Sequence, residues 1–131
     1  MIEKHVDVTI DGTGLTSENK GQTIKIGHDP QQISPTKLFE TSVAACTLGT
    51  FRAILENSKI PYQTASVRST MFLEEDRPHK IRKVALTITV CGAQATEEKL
   101  QRILKMTKNS CTIVQSIMDS IEIEESLEIK A

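Results

Sequence analysis

Apolar positions along the chain form two alternating stretches, one long run with apolar residues nearly all round, two more alternating stretches, two amphipathic runs and an alternating tail. Residues 4–10 put Val6, Val8 and Ile10 on one face, and Asp11-Gly12-Thr13-Gly14 follows as turn chemistry, so a strand entering a turn is predicted. Residues 15–21 are polar and end at Gly21; alternation returns over residues 22–27, and an N-terminal antiparallel meander is expected. Pro30 to Ser34 make the loop into a long helix. Ser34 is a good N-cap, and Pro35 falls at the first helical position, where its missing N–H costs nothing. The run continues to Leu55, and Asn57, Ser58 and Pro61 mark its end. Leu38, Phe39, Val43, Ala44, Ala45, Leu48, Phe51 and Ile54 lie nearly all round the cylinder, which predicts a central, buried helix. Ser42, Ala45, Gly49 and Ala53 leave room on one face for another backbone to come close, and Cys46 borders that face.

Residues 63–73 and 83–91 read as half-buried strands, the second with Val84, Leu86, Ile88 and Val90 on one side, joined by a solvated loop over residues 74–80. Thr96 can cap a helix opening on Glu97 and Glu98, whose core stripe is Leu100, Ile103, Leu104 and Thr107. Lys108-Asn109-Ser110 breaks that pattern. Cys111 to Met118 restarts it, with Ser110 as the expected cap and Cys111 as the first helical residue, and residues 121–129 form a closing strand with an acidic outer face. The predicted order is two strands, a long helix, two strands, two helices and a strand: an α+β fold with antiparallel sheets, read as a single domain over residues 1–131.

With 131 residues the chain is long enough for one domain with a real core. Its 16 basic and 17 acidic residues are well mixed and its aromatics are few, so neither a nucleic acid nor an anionic membrane is expected as partner. The N-terminal residues carry no signal-peptide pattern, and with three cysteines the chain is expected to be cytoplasmic, with reduced thiols or a catalytic disulfide. His5, His28 and His79 share no ligand spacing, and Asp11 to Gly14 is a turn without a phosphate loop's lysine, so no metal and no cofactor is expected.

That leaves the thiols. Cys111 at a helix start, near Lys108, is placed where free N–H groups and the positive dipole end stabilise a thiolate. Cys46 is mid-helix among apolar residues, where burial silences a thiol unless a cation or donor reaches it. On the residues alone, both are equally well read as small buried hydrophobes. Cys91, at a strand end, is plain packing.

The segment SPTKLFETSVAACTLGTFRAILENSKIP, from Ser34 to Pro61, resembles the signature of the OsmC/Ohr family: a proline, a Leu-containing stretch, two small residues and a cysteine, and a helix ending near a proline. Arg82 to Gly92 resembles the family's strand running into a glycine, and Cys111 takes the place of its second cysteine, 111 − 46 = 65 positions on. The resemblance implies an OsmC-like fold in an intertwined homodimer, with a thiol peroxidase site at the subunit interface. Carried over, Cys46 would attack an organic hydroperoxide and become a sulfenic acid, Cys111 would condense with it to a disulfide, and a dithiol reductant would reset the pair. Peroxidase members support the first cysteine with a glutamate about ten residues ahead and an arginine from the N-terminal sheet. This chain has Thr36 there, with Glu40 as the next carboxylate, and no arginine before Arg52; Thr112 replaces the proline after the second cysteine. Thr36 and Glu40 are thus the candidate supporting residues. The alternative function is a divergent dimer that binds a small apolar or electrophilic ligand at the interface without turnover.

Overall fold

The computed structural model describes residues 1–131, which divide into two compact units, Met1–Phe39 and Glu40–Ala131. The first unit holds a three-stranded antiparallel sheet, β1 (Val8–Asp11), β2 (Gly14–Asn19) and β3 (Gln22–Ile26), in that order. Strand β2 corrects the reading of residues 15–21 as a polar connection. Its side chains have no apolar alternation to announce it, and it exists because both of its edges are hydrogen-bonded, to β1 and to β3. The turns do the local work. Asp11 Oδ1 accepts from the Thr13 N–H at 2.7 Å at the first turn, and at the second Lys20 and Gly21 both take positive φ (53° and 81°), the requirement of a two-residue hairpin whose twist matches its strands. Ser17 is buried, and its hydroxyl donates to the Asp7 carbonyl at 2.9 Å.

Helix α1 (Pro35–Asn57) starts in this unit and runs on into the second. Ser34 caps it as expected: its hydroxyl oxygen accepts the Lys37 N–H at 3.2 Å and its carbonyl accepts the Leu38 N–H. The expectation of a helix buried all round is corrected. Within the single chain α1 buries only Val43, Thr47, Phe51 and Leu55, one stripe at i, i+4 spacing. Its most apolar window, mean hydropathy 1.2, meets the length and composition of a membrane span; Phe51 and Leu55 of that same helix are part of the second unit's core.

The second unit contains β4 (Thr64–Leu73), β5 (Ile81–Cys91), α2 (Glu97–Ser110), α3 (Thr112–Ile117) and β6 (Glu122–Lys130). Strands β4 and β5 form the expected hairpin, and β5 is the middle strand. The sheet is mixed, not antiparallel throughout, because β6 pairs parallel to β5. Two helices intervene between these strands, and such a crossover returns the chain in the same direction. Lys83 ties the pairing by reaching Glu122 at 3.4 Å and Glu124 at 2.6 Å on the acidic outer face of β6. Phe51, Leu55, Ile60, Ile88, Val90, Leu100, Ile103 and Leu104 make the core cluster, so the expected faces of β5 and α2 do point inward.

Candidate active site

Cys46 is half-buried in the middle of α1, and Cys111 is fully buried between α2 and α3. Their sulfur atoms lie 2.9 Å apart, Cys111 donating its S–H toward Cys46 across 65 residues of sequence. Local structure fixes the second thiol. Helix α2 is capped by Thr96, whose hydroxyl accepts the Lys99 N–H at 3.1 Å, and ends at Ser110. The Cys111 N–H then donates to the Thr107 carbonyl at 3.0 Å while the Cys111 carbonyl accepts from Gln115, so the residue closes one helix and opens the next. Gln115 Nε2 also donates to the Lys108 carbonyl at 2.8 Å, clamping the junction.

Two expectations about Cys111 are corrected. It is the N-cap of α3 and not its first helical residue, Ser110 being the last residue of α2. Nor is its thiol made acidic: burial pushes it up, the Cys46 sulfur beside it adds to this, and the Val114 N–H and the Thr47 hydroxyl pull the other way without prevailing. The one-and-a-half turns of α3 carry too little dipole to offset removal from water. Lys108, read as the neighbouring cation, instead donates its ammonium to the Ile123 carbonyl at 3.1 Å. Burial and the neighbouring sulfur therefore favour the neutral thiol of Cys111, whose S–H is directed at Cys46.

Of the candidate supporting residues, Thr36 is exposed in the first turn of α1, its hydroxyl 3.4 Å from that of Ser34. Glu40 accepts a hydrogen bond at 2.8 Å from the Ser69 hydroxyl of β4, which anchors the helix to the sheet. Cys91 closes β5, paired in register with Thr64 and Lys130.

Two residues were not singled out from the sequence. Thr47 follows Cys46 and is fully buried, with no hydrogen-bond partner for its hydroxyl, which is the smallest of the influences on the Cys111 thiol. Its signal was a hydroxyl interrupting the apolar stripe of Val43, Phe51 and Leu55. Glu125 points both carboxylate oxygens into a water-shielded, unpartnered position; the sequence offered only an acid on the inward face of an alternating strand.

A hollow of about 520 Å³, which neither thiol lines, is walled by Ala45, Leu48, Gly49 and Arg52 of α1 with Tyr62 and Ala65. A larger groove of about 720 Å³ runs between α2 and Glu125, but neither thiol lines it. Of the small residues of α1, Ala45 and Gly49 line the smaller hollow and Ser42 and Ala53 do not.

The family model for OsmC-like proteins matches residues 27–126. No curated protein matches the chain by sequence. Among solved structures, an OsmC-like protein from Mycoplasma pneumoniae is 13% identical and superposes with a TM-score of 0.85 over 99% of this chain and 100% of that one. A hypothetical protein from Aquifex aeolicus is 16% identical, TM-score 0.86, over 98% and 97% of the two chains. An organic hydroperoxide resistance protein OsmC from Legionella pneumophila is 15% identical, TM-score 0.75, over 98% of each. At such identities these likenesses concern the fold, and it is the family match over both cysteines, joined to the shared fold, that places the chain: it belongs to the OsmC-like family.

Proposed function

We propose that the protein is a cytoplasmic thiol-dependent peroxidase that reduces organic hydroperoxides, with Cys46 as nucleophile and Cys111 as resolving thiol. The observation that carries this is the 2.9 Å approach of a buried Cys111 to a half-buried Cys46. The Cys46 thiolate attacks the outer peroxide oxygen, the O–O bond breaks, the alkoxide takes a proton and leaves as alcohol, and Cys46 becomes a sulfenic acid. The Cys111 sulfur then attacks the Cys46 sulfur, hydroxide leaves and is protonated to water, and a disulfide joins the two. A dithiol reductant returns both thiols by exchange. The apolar hollow beside α1 suits an organic peroxide better than a purely aqueous one.

A homodimer belongs to the same proposal. The uncovered apolar flank of α1 and the exposed Val6, Val8 and Ile10 of the N-terminal strand region are surface that a second copy would remove from water. The test is consumption of cumene or tert-butyl hydroperoxide by purified protein with a dithiol: Cys46→Ser is expected to abolish it, and turnover unchanged by that substitution would sink the proposal. The hollow also supports the second reading, a dimer that holds a small apolar or electrophilic ligand without turnover. That reading predicts no peroxide consumption and one retained small molecule per chain in native mass spectrometry.

A further inference from the structure

Three polar residues are buried: Ser17, Thr47 and Thr107. Ser17 donates to the Asp7 carbonyl. Thr107, inside α2, donates to the Ile103 carbonyl at 2.8 Å, the usual way in which a helical threonine satisfies its hydroxyl on the preceding turn. Thr47, inside α1 and fully buried, does not use that route; its hydroxyl is left without a partner. A buried hydroxyl in that state costs free energy and is free to pair with an acceptor that forms in another step.

The thiol pair supplies one. Thr47 follows Cys46 in the helix, and the Cys46 sulfur lies 2.9 Å from that of Cys111, so a buried, unpartnered hydroxyl sits one residue from the thiol pair, where it favours the ionised form of Cys111. In the reduced state the Cys111 sulfur is a neutral thiol with its proton directed at Cys46, and a thiol sulfur is a poor acceptor. When Cys111 attacks an oxidised Cys46, its sulfur must carry negative charge at a site that water does not reach. The Val114 N–H and the Thr47 hydroxyl are the groups that favour that charge.

We propose that Thr47 is a positioning residue for the resolving thiol: its hydroxyl donates to the Cys111 sulfur as that sulfur loses its proton and attacks the oxidised Cys46. This rests on the peroxidase reading for its place in the cycle. The step balances: Cys111 gives up its proton, the S–S bond forms as the S–O bond of the sulfenic acid breaks, and the departing hydroxide takes a proton to become water. The Cys111 sulfur is oxidised and the Cys46 sulfur reduced.

The experiment uses the full chain and compares Thr47→Val, which keeps shape and loses the hydroxyl, with Thr47→Ser, which keeps it. One arm needs no peroxide: with Cys46 and Cys91 both changed to serine, Cys111 is the sole thiol and is titrated by its thiolate absorbance. Thr47→Val is expected to raise its midpoint by about one pH unit, a tenfold change, as loss of a donor to a charged group does, and Thr47→Ser to leave it in place. The other arm follows the Cys46 sulfenic acid by dimedone trapping after one equivalent of tert-butyl hydroperoxide. Disulfide closure is expected to slow about tenfold in Thr47→Val and to be restored in Thr47→Ser, by the same loss of one donor. Coincident titrations of the Val variant and its parent would overturn the proposal, as would equal closure rates. If the parent forms no sulfenic acid at all, the peroxidase reading fails and the titration alone decides the role of Thr47. Thr47→Ala serves the same comparison should Thr47→Val not fold.

Discussion

Cys46 is half-buried and Cys111 fully buried, and in the proposed peroxidase that difference in access divides the work: the first would meet a peroxide from outside and the second would be shielded from it. Burial also holds the Cys111 thiol above its ordinary range. In the oxidised-Cys46 state the rate of disulfide formation is therefore expected to keep climbing as pH rises past the usual thiol midpoint; a plateau at or below that midpoint, seen by quenched alkylation, would contradict this. Glu125 is a second residue whose environment sets its behaviour. Its shielded, unpartnered carboxyl is raised by burial, with Lys108 opposing. A carboxyl that holds its proton more tightly when folded contributes fully below the unfolded pKa and loses that contribution as pH rises through the folded value. Glu125→Gln is thus expected to be more stable than the parent at neutral pH, by under about 1 kcal/mol once solvent screening is allowed for, with the gap closing in acid; urea melts at the two pH values check it. From sequence, Cys46 and Cys111 were legible as candidates because their spacing carried a resemblance. Their unequal burial was not, since it depends on how α2 and α3 meet around Cys111. Thr36 and Glu40 show the same boundary: position in the sequence singled them out, while the Ser69 partner of Glu40 came only with the fold.

Elements whose boundaries are written in cap and turn residues were readable; those made by pairing were not. Ser34 and Pro35 open α1, and Thr96 opens α2 with Glu97 and Glu98 in its first turn. Thr96→Ala is accordingly expected to cost about 1 kcal/mol of stability and to leave the thiol chemistry intact. A melt with no loss, or a change in Cys46 oxidation at equal stability, would argue against a purely capping role. Strand β2 escaped because its residues are polar and its order derives from two neighbours. The parallel pairing of β6 escaped because alternation reports which face is inward and not which way a strand runs. At the α2–α3 junction, the end of one helix and the cap of the next fall on adjacent residues, Ser110 and Cys111, which periodicity resolves only to within a residue or two.

At the scale of the whole molecule, α1 is apolar well beyond the single stripe it buries in one chain. Gly49 makes that testable, because a Cβ added there meets nothing within 4 Å. Gly49→Phe is expected to keep the circular dichroism of the parent yet to lose a dimer of twice the chain mass in light scattering, since it fills the gap between close-packed helices in the proposed homodimer. A dimer that persists unchanged would place the second copy elsewhere. If Cys46 and Cys111 form one redox unit, peptide mapping after one equivalent of organic hydroperoxide reads it out. Trypsin separates the cysteines into residues 38–52, 109–130 and 84–99. The first two are expected to be joined by a disulfide, with Cys91 in the third still free to alkylate; a disulfide through Cys91, or Cys46 oxidised with no link to Cys111, would contradict a Cys46–Cys111 redox unit.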